Sequence, residues 1–284
     1  MICRMLVHSA LPRPLTEAVE AVLGAAGIEH VSHGDAEPVA AAQRAAGDDR
    51  AIALIGPFRS RDVAEAVEAT APAGLPLLAP VATWAGLTRD DEPGGDDDPA
   101  RPRGTLLRIV ARDTVVAQRI AADVAARGQR ALVVAGDHAY GVQLDGQLRL
   151  GGLPRTARAA DADLVILAGL AGEPELARAA ALSLPIIAFD GVQGGDIGPR
   201  GELGVALPFA PESHEHGQVA MTGPARRAAQ LLVSALRTGA TSRPELLGAL
   251  RSLGPFDARG DPVDPPVWLW RADAGWRLTP ERPL

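Results

Sequence analysis

The side chains best suited to gripping a small polar molecule in this chain stand just beyond short apolar runs. Ser60 ends the string Gly56-Pro-Phe-Arg-Ser60, which follows Ala51-Ile-Ala-Leu-Ile55, and Thr83 lies in Pro80-Val-Ala-Thr-Trp84, directly after Pro76-Leu-Leu-Ala79. Further along, Ala131-Leu-Val-Val-Ala135 runs into Gly136-Asp-His-Ala-Tyr-Gly141, which carries the only tyrosine, Tyr140, and Pro185-Ile-Ile-Ala-Phe189 runs into Asp190-Gly191. Hydroxyls beside helix N-termini suit a carboxylate, because unpaired backbone N–H groups gather there. An acid accompanied by a phenol suits an ammonium. The two sets together are chemistry for a zwitterion.

Each of these residues has a plainer role open to it. Ser60 is a ready helix N-cap, Thr83 beside Trp84 is a loop-packing pair, Tyr140 is a core aromatic, and Asp190 caps the turn that follows its strand. Asp190 stands out because a carboxylate in a closing cleft needs a cationic partner to offset its desolvation.

Signals for covalent chemistry are missing. All 28 basic residues are arginine, so a Walker-A loop, a kinase-type strand lysine and a Schiff-base mechanism are excluded for want of an ammonium on a flexible stem. Cys3 is the only cysteine, which excludes an intrachain disulfide and a thiolate cluster. Asp137 and His138 are adjacent on a loop, where neighbours rarely face each other, so they make a poor acid–base pair. His214-Glu-His216 lacks helical spacing and a third ligand, and reads as a surface loop. No Gly-x-Ser-x-Gly, His-Glu-x-x-His or post-strand Gly-x-Gly-x-x-Gly occurs. The expectation is a binding protein with no catalytic residue, no metal and no cofactor.

The elements that must position these groups follow from the same runs. The apolar runs, to which Leu164-Val-Ile-Leu-Ala168 is added, do not alternate, and such strands belong in a parallel sheet covered on both faces by helices. Amphipathic segments at 15–26, 38–46, 61–71, 114–126 and 173–181 separate them, many closed by Gly or followed by Pro. The fold class is therefore α/β, in two lobes that each carry a mostly parallel sheet flanked by helices, joined by hinge crossings. The N-terminal lobe takes 1–111 plus 212–254, and the C-terminal lobe takes 112–211 plus 255–284. Helices at 224–238 and 243–253, a turn-rich stretch at 254–261 and two aromatic strands at 267–271 and 276–279 complete the chain.

Length and composition agree with two lobes. The 284 residues allow roughly 100–150 per lobe. The hydrophobic fraction is 47% but aromatics are only 3%, so the cores must be built from Ala, Val, Leu and Ile. The net charge of −7 comes with no basic stripe, which argues against nucleic acid. The segment 89–103, with Asp90-Asp-Glu92 and Asp96-Asp-Asp98, reads as a solvated loop. Arg4, His8 and Pro12 interrupt the N-terminal apolar run before a signal-peptide core forms, and no stretch nears about 18 uncharged apolar residues. As written, the chain is expected in the cytoplasm without membrane insertion; an earlier start would leave an exported lipoprotein open.

In order and spacing, these segments resemble the type I periplasmic-binding-protein family, in its leucine/isoleucine/valine-binding branch of ABC-transporter receptors and their cytosolic amide-sensor relatives. Ile55-Gly-Pro-Phe-Arg-Ser60 resembles the first ligand loop. Ala79-Pro-Val-Ala-Thr-Trp-Ala-Gly-Leu-Thr88 resembles the second, which brings Val81, Ala82, Thr83 and Trp84 into the candidate site. Arg108-Ile-Val-Ala-Arg-Asp113 resembles the first crossing between lobes, Asp137-His-Ala-Tyr-Gly141 the loop with a ligand-contacting tyrosine, and Phe189-Asp-Gly191 the place of an acid for the α-ammonium. Gly254–Asp261 and Val267-Trp-Leu-Trp270 resemble the C-terminal hinge and hairpin.

The resemblance implies that Ser60 and Thr83 hold a carboxylate, that Thr83 and Asp190 share the ammonium, that Tyr140 closes from the second lobe, and that Leu170 occupies a position often aromatic in the family. It also implies hinged closure on an amino acid or amide-like ligand, with a permease or a regulatory protein as partner. The chain departs from the family in a first βα loop cut to 9–14 and in a short 151–162. Transport receptor, cytosolic sensor and an enzyme on the same scaffold, with Asp137, His138 or Asp190 as its acid–base groups, are the three functional classes to separate.

Overall fold

The computed structural model describes residues 5–35, 37–88, 104–136, 139–169, 174–192, 203–211, 221–272 and 278–284. Along 5–110 the order is β1 (Leu6–Ser9), α1 (Arg13–Ala25), β2 (Glu29–Ser32), α2 (Pro38–Gly47), β3 (Ala51–Ile55), α3 (Ser60–Thr70), β4 (Leu77–Ala79) and β5 (Leu106–Arg108). There follow α4 (Asp113–Ala126), β6 (Ala131–Ala135), α5 (Ala139–Leu150), β7 (Leu164–Ala168), α6 (Pro174–Ala181), β8 (Ile186–Ala188) and β9 (Leu203–Leu207). The chain ends with α7 (Thr222–Leu236), α8 (Arg243–Leu253), β10 (Trp268–Ala272) and β11 (Leu278–Pro283). All five apolar runs are strands, as their lack of alternation required.

Two compact units result, Met1–Val110 with Met221–Asp264, and Ala111–Ala220 with Pro265–Leu284. The turn at 255–264, assigned to the second lobe on sequence, packs with the first unit. Phe256 lies against that unit's core, and Asp261 pairs with Arg108.

In the first unit five parallel strands run in the order β2-β1-β3-β4-β5. One face is covered by α1, α7 and α8, through Leu15, Val19, Leu23, Ala228, Leu232 and Leu246. The other is covered by α2 and α3, through Ala41, Ala45, Val63 and Val67. Small side chains let helix and sheet backbones approach closely, which is how a core with few aromatics reaches packing density. Helix α8 opens with a capping box, in which the Glu245 N–H donates to Ser242 Oγ and the Glu245 carboxylate accepts from the Ser242 N–H. Its first residue, Arg243, donates to the carbonyls of Asp48 at 2.7 Å, Ala51 at 2.9 Å, Ala73 at 3.0 Å and Ala46 at 3.3 Å, tying the end of α2, the start of β3 and the turn after α3 together.

In the second unit six strands run in the order β11-β10-β9-β8-β7-β6. β6 to β9 are parallel, and β10 and β11 are antiparallel additions. Helices α4 and α5 supply Val116, Ile120, Val124, Leu144 and Leu148 to the core, which Phe189 and Val267 join. Arg282 on β11 pairs with both oxygens of Asp123 on α4, at 2.6 and 2.8 Å, a bidentate geometry that fixes the last strand on its helix.

Candidate functional site

In the first unit β3 delivers the chain to Ser60 and β4 delivers it to Thr83, and the two loops are bonded to each other. The Trp84 N–H donates to Ser60 Oγ at 3.3 Å. Ser60 makes no capping bond to α3, whose cap position is Arg59, so its hydroxyl serves the neighbouring loop instead of its own helix. Thr83 is buried at 6% exposure and Trp84 is half-buried. Val81 and Ala82 turn their side chains into the two hydrophobic clusters, which leaves only their backbone to face a ligand.

In the second unit Tyr140 lies in the first turn of α5, after β6, and Asp190 follows β8. These strands flank β7, yet the Tyr140 hydroxyl stands 3.4 Å from Asp190 Oδ1. Gly141 permits the approach, because a Cβ there would lie 2.7 Å from the Gly136 carbonyl oxygen and 2.8 Å from that of Ala168. Burial pushes the Asp190 carboxyl up to about 6, against the stabilising bonds from Tyr140 and from the backbone N–H groups of Asp190 and Gly191. Burial, followed by the negative charges of Asp113 and Asp190, holds the Tyr140 phenol well above its usual range. At neutral pH the pair therefore presents a phenol that stays a donor and a carboxylate whose charge a bound cation would relieve.

Ser60, Thr83 and Trp84 thus come together in one unit, and Tyr140 and Asp190 in the other. Leu170, Asp137, His138, His214, His216 and the acidic stretch 89–103 lie outside the described residues. Among the described residues no group of three or more His, Cys, Asp or Glu has a metal-binding arrangement, and no helix is long and apolar enough to cross a membrane.

Two clusters escaped the sequence reading. Arg108, fully buried, donates to the carbonyls of Ala82 and Trp84, on either side of Thr83. A lone arginine inside Leu106-Leu-Arg-Ile-Val110 was the available signal. The second cluster joins three histidines. His8 Nδ1 lies 2.7 Å from His33 Nε2 with their rings stacked, His8 Nε2 lies 3.5 Å from Asp48, and His30 bonds Ser9 Oγ at 2.9 Å and approaches Glu20 at 3.5 Å. Burial lowers all three imidazoles.

This architecture is the type I periplasmic-binding-protein fold, two α/β units with dominantly parallel sheets. Solved structures similar to the chain include an ABC transporter substrate-binding protein of Desulfitobacterium hafniense in complex with Leu, 21% identical over 98% of this chain and 99% of that one, with a TM-score of 0.75. A branched-chain amino acid transporter substrate-binding protein of Streptococcus pneumoniae in complex with isoleucine is 16% identical over 98% and 99%, with a TM-score of 0.73. A solute-binding protein from R. palustris in complex with benzoate is 14% identical over 98% and 96%, with a TM-score of 0.68. No family model and no curated protein matches the chain.

Proposed function

We propose that this chain is a solute-binding protein that closes its two units on an amino acid, branched-chain or similar, and releases it unchanged. The observation that supports the reading best is the Tyr140–Asp190 pair, an acid pushed up to about 6 beside a phenol donor, in a fold whose solved examples include leucine and isoleucine complexes. Asp190 and Thr83 take the ammonium, Ser60 and Thr83 take the carboxylate, and Trp84, Tyr140 and Leu170 line the ligand, with Val81 and Ala82 contributing backbone. Contacts made only in the closed state shift the population toward closure. A permease or a regulatory protein then reads the closed form.

Calorimetric titration with L-leucine, L-isoleucine, 4-methylpentanoate and benzoate tests the reading. An amino acid is expected to bind in the micromolar range, near roughly −8 kcal/mol, with the two acids that lack an ammonium at least tenfold weaker. Equal affinity for 4-methylpentanoate would remove the ammonium from the recognition scheme, and conversion of the bound amino acid to a new product, seen by mass spectrometry, would overturn the non-enzymatic reading. Recovery of a membrane permease with the closed protein marks transport. Release of a soluble regulator by ligand marks sensing.

A further inference from the structure

A guanidinium loses several kcal/mol of hydration on burial, and a buried ion pair is often no more stabilising than apolar residues of the same volume. Arg108 and Asp261 are nevertheless 0% and 1% exposed and bonded at 2.9 Å. Their geometry is directed at one loop. Arg108 donates to the Ala82 carbonyl at 2.8 Å, to the Trp84 carbonyl at 2.9 Å and to Thr88 Oγ1 at 3.0 Å. Thr88 Oγ1 lies 2.8 and 2.9 Å from the two oxygens of Asp261. The bonds thus grip the 82–88 segment at both ends, with Thr83 between the two carbonyls that Arg108 holds.

The same pair joins the two places where the chain leaves the first unit. Arg108 ends β5, two residues before the boundary at Val110, and Asp261 lies three residues before Asp264. The Arg108 N–H donates to the Gly260 carbonyl at 2.8 Å. Gly260 has φ +86°, and a Cβ there would run into the Leu106 carbonyl oxygen, so only glycine admits this approach.

Resting on the ligand-binding reading above, we propose that Arg108 is a positioning residue. With Asp261 it fixes the carbonyls that flank Thr83, and it links the loop's conformation to the crossings at 110 and 264. Affinity then depends on a side chain with no ligand contact of its own, because Thr83, and Ser60 held through the Trp84 N–H, must already stand in their binding geometry when ligand arrives.

The test compares wild type with Thr88→Val, Asp261→Asn and the apolar pair Arg108→Met/Asp261→Leu. Hydrogen exchange of the 82–88 amides and isoleucine affinity by calorimetry are both measured, each beside a thermal melt. The apolar pair is expected to melt within a few degrees of wild type, to exchange the 82–88 amides at least tenfold faster with β3 unchanged, and to bind isoleucine at least tenfold more weakly. A folded variant with wild-type exchange at 82–88, or with wild-type affinity, overturns the proposal. If the apolar pair does not fold, Thr88→Val decides by the same two readouts, with about threefold effects expected. Should wild type bind no amino acid, the ligand reading fails, while the exchange data still judge the clamp.

Discussion

Tyr140 Oη reaches to within 3.4 Å of Asp190 Oδ1 although their parent strands β6 and β8 are separated by β7. The bond is long for an O–H···O contact, so the carboxylate keeps capacity for a second, charged donor. Asp190→Ala is expected to weaken amino-acid binding at least tenfold with the fold intact, in line with the roughly 2–5 kcal/mol that follows removal of one partner of a buried charge pair. Unchanged affinity by calorimetry would take Asp190 out of the site. Tyr140→Phe removes one neutral hydroxyl and is expected to cost about 0.5–1.5 kcal/mol.

The raised carboxyl gives binding and stability opposite pH dependences. Charge on Asp190 attracts the ammonium, so affinity is expected to fall as pH drops through about 6. In the free protein the folded state holds this proton more tightly than the unfolded chain does. The group's contribution is therefore present below the unfolded value of 3.8 and lost as pH rises through about 6. Asp190→Asn is expected to raise the unfolding free energy at pH 8 by up to about 3 kcal/mol while abolishing binding. A variant that is both less stable at pH 8 and fully able to bind would refute this account.

The histidine cluster works in the other direction. One proton fits between His8 Nδ1 and His33 Nε2 at 2.7 Å, so a second sets N–H against N–H. Burial lowers His8, His30 and His33, which are surrounded by Asp48, Glu20, Arg44 and Arg243. The unfolded chain thus takes up protons that the folded state refuses as pH falls below 6.5, and stability is lost through the lowered folded values. Stability of the first unit is expected to fall as pH drops from 7 to 5, with β2, the edge strand, losing amide protection first. Melts in the Asp190→Asn background remove the opposing contribution, and a flat profile there would dismiss the cluster as a source of acid sensitivity.

Arg243 bonds carbonyls of four residues from a single guanidinium. A lysine cannot reproduce that planar fork. Arg243→Lys is expected to destabilise the first unit by about 1–2 kcal/mol, since partly buried carbonyls lose donors, with no change in amino-acid affinity. A melting temperature equal to that of wild type would show that water replaces the fork without loss.

Much of the architecture was written in local pattern. Strands β3, β4, β6, β7 and β8 were legible because a parallel strand buried on both faces needs an unbroken apolar run. β1 and β2 were not, since Leu6–Ser9 contains His8 and Ser9, and Glu29–Ser32 is a partly exposed edge strand. Helix α5 was hidden by Gly141 and Gly146, which dilute its periodicity. The candidate residues were legible by position, at the ends of strands in the order of a known fold.

Their partners were decided by tertiary structure alone. Nothing local pairs Arg108 with Asp261 across 153 positions, or His8 on β1 with His33 just past β2, because such contacts depend on strand order and register and not on neighbouring residues. By itself the sequence determined where apolar runs, turns and polar loop groups fall, since those follow from side-chain type and period. Which loops meet, which charges are buried and which carboxyl is pushed up to about 6 were decided only when the sheets brought distant segments into one low-dielectric neighbourhood.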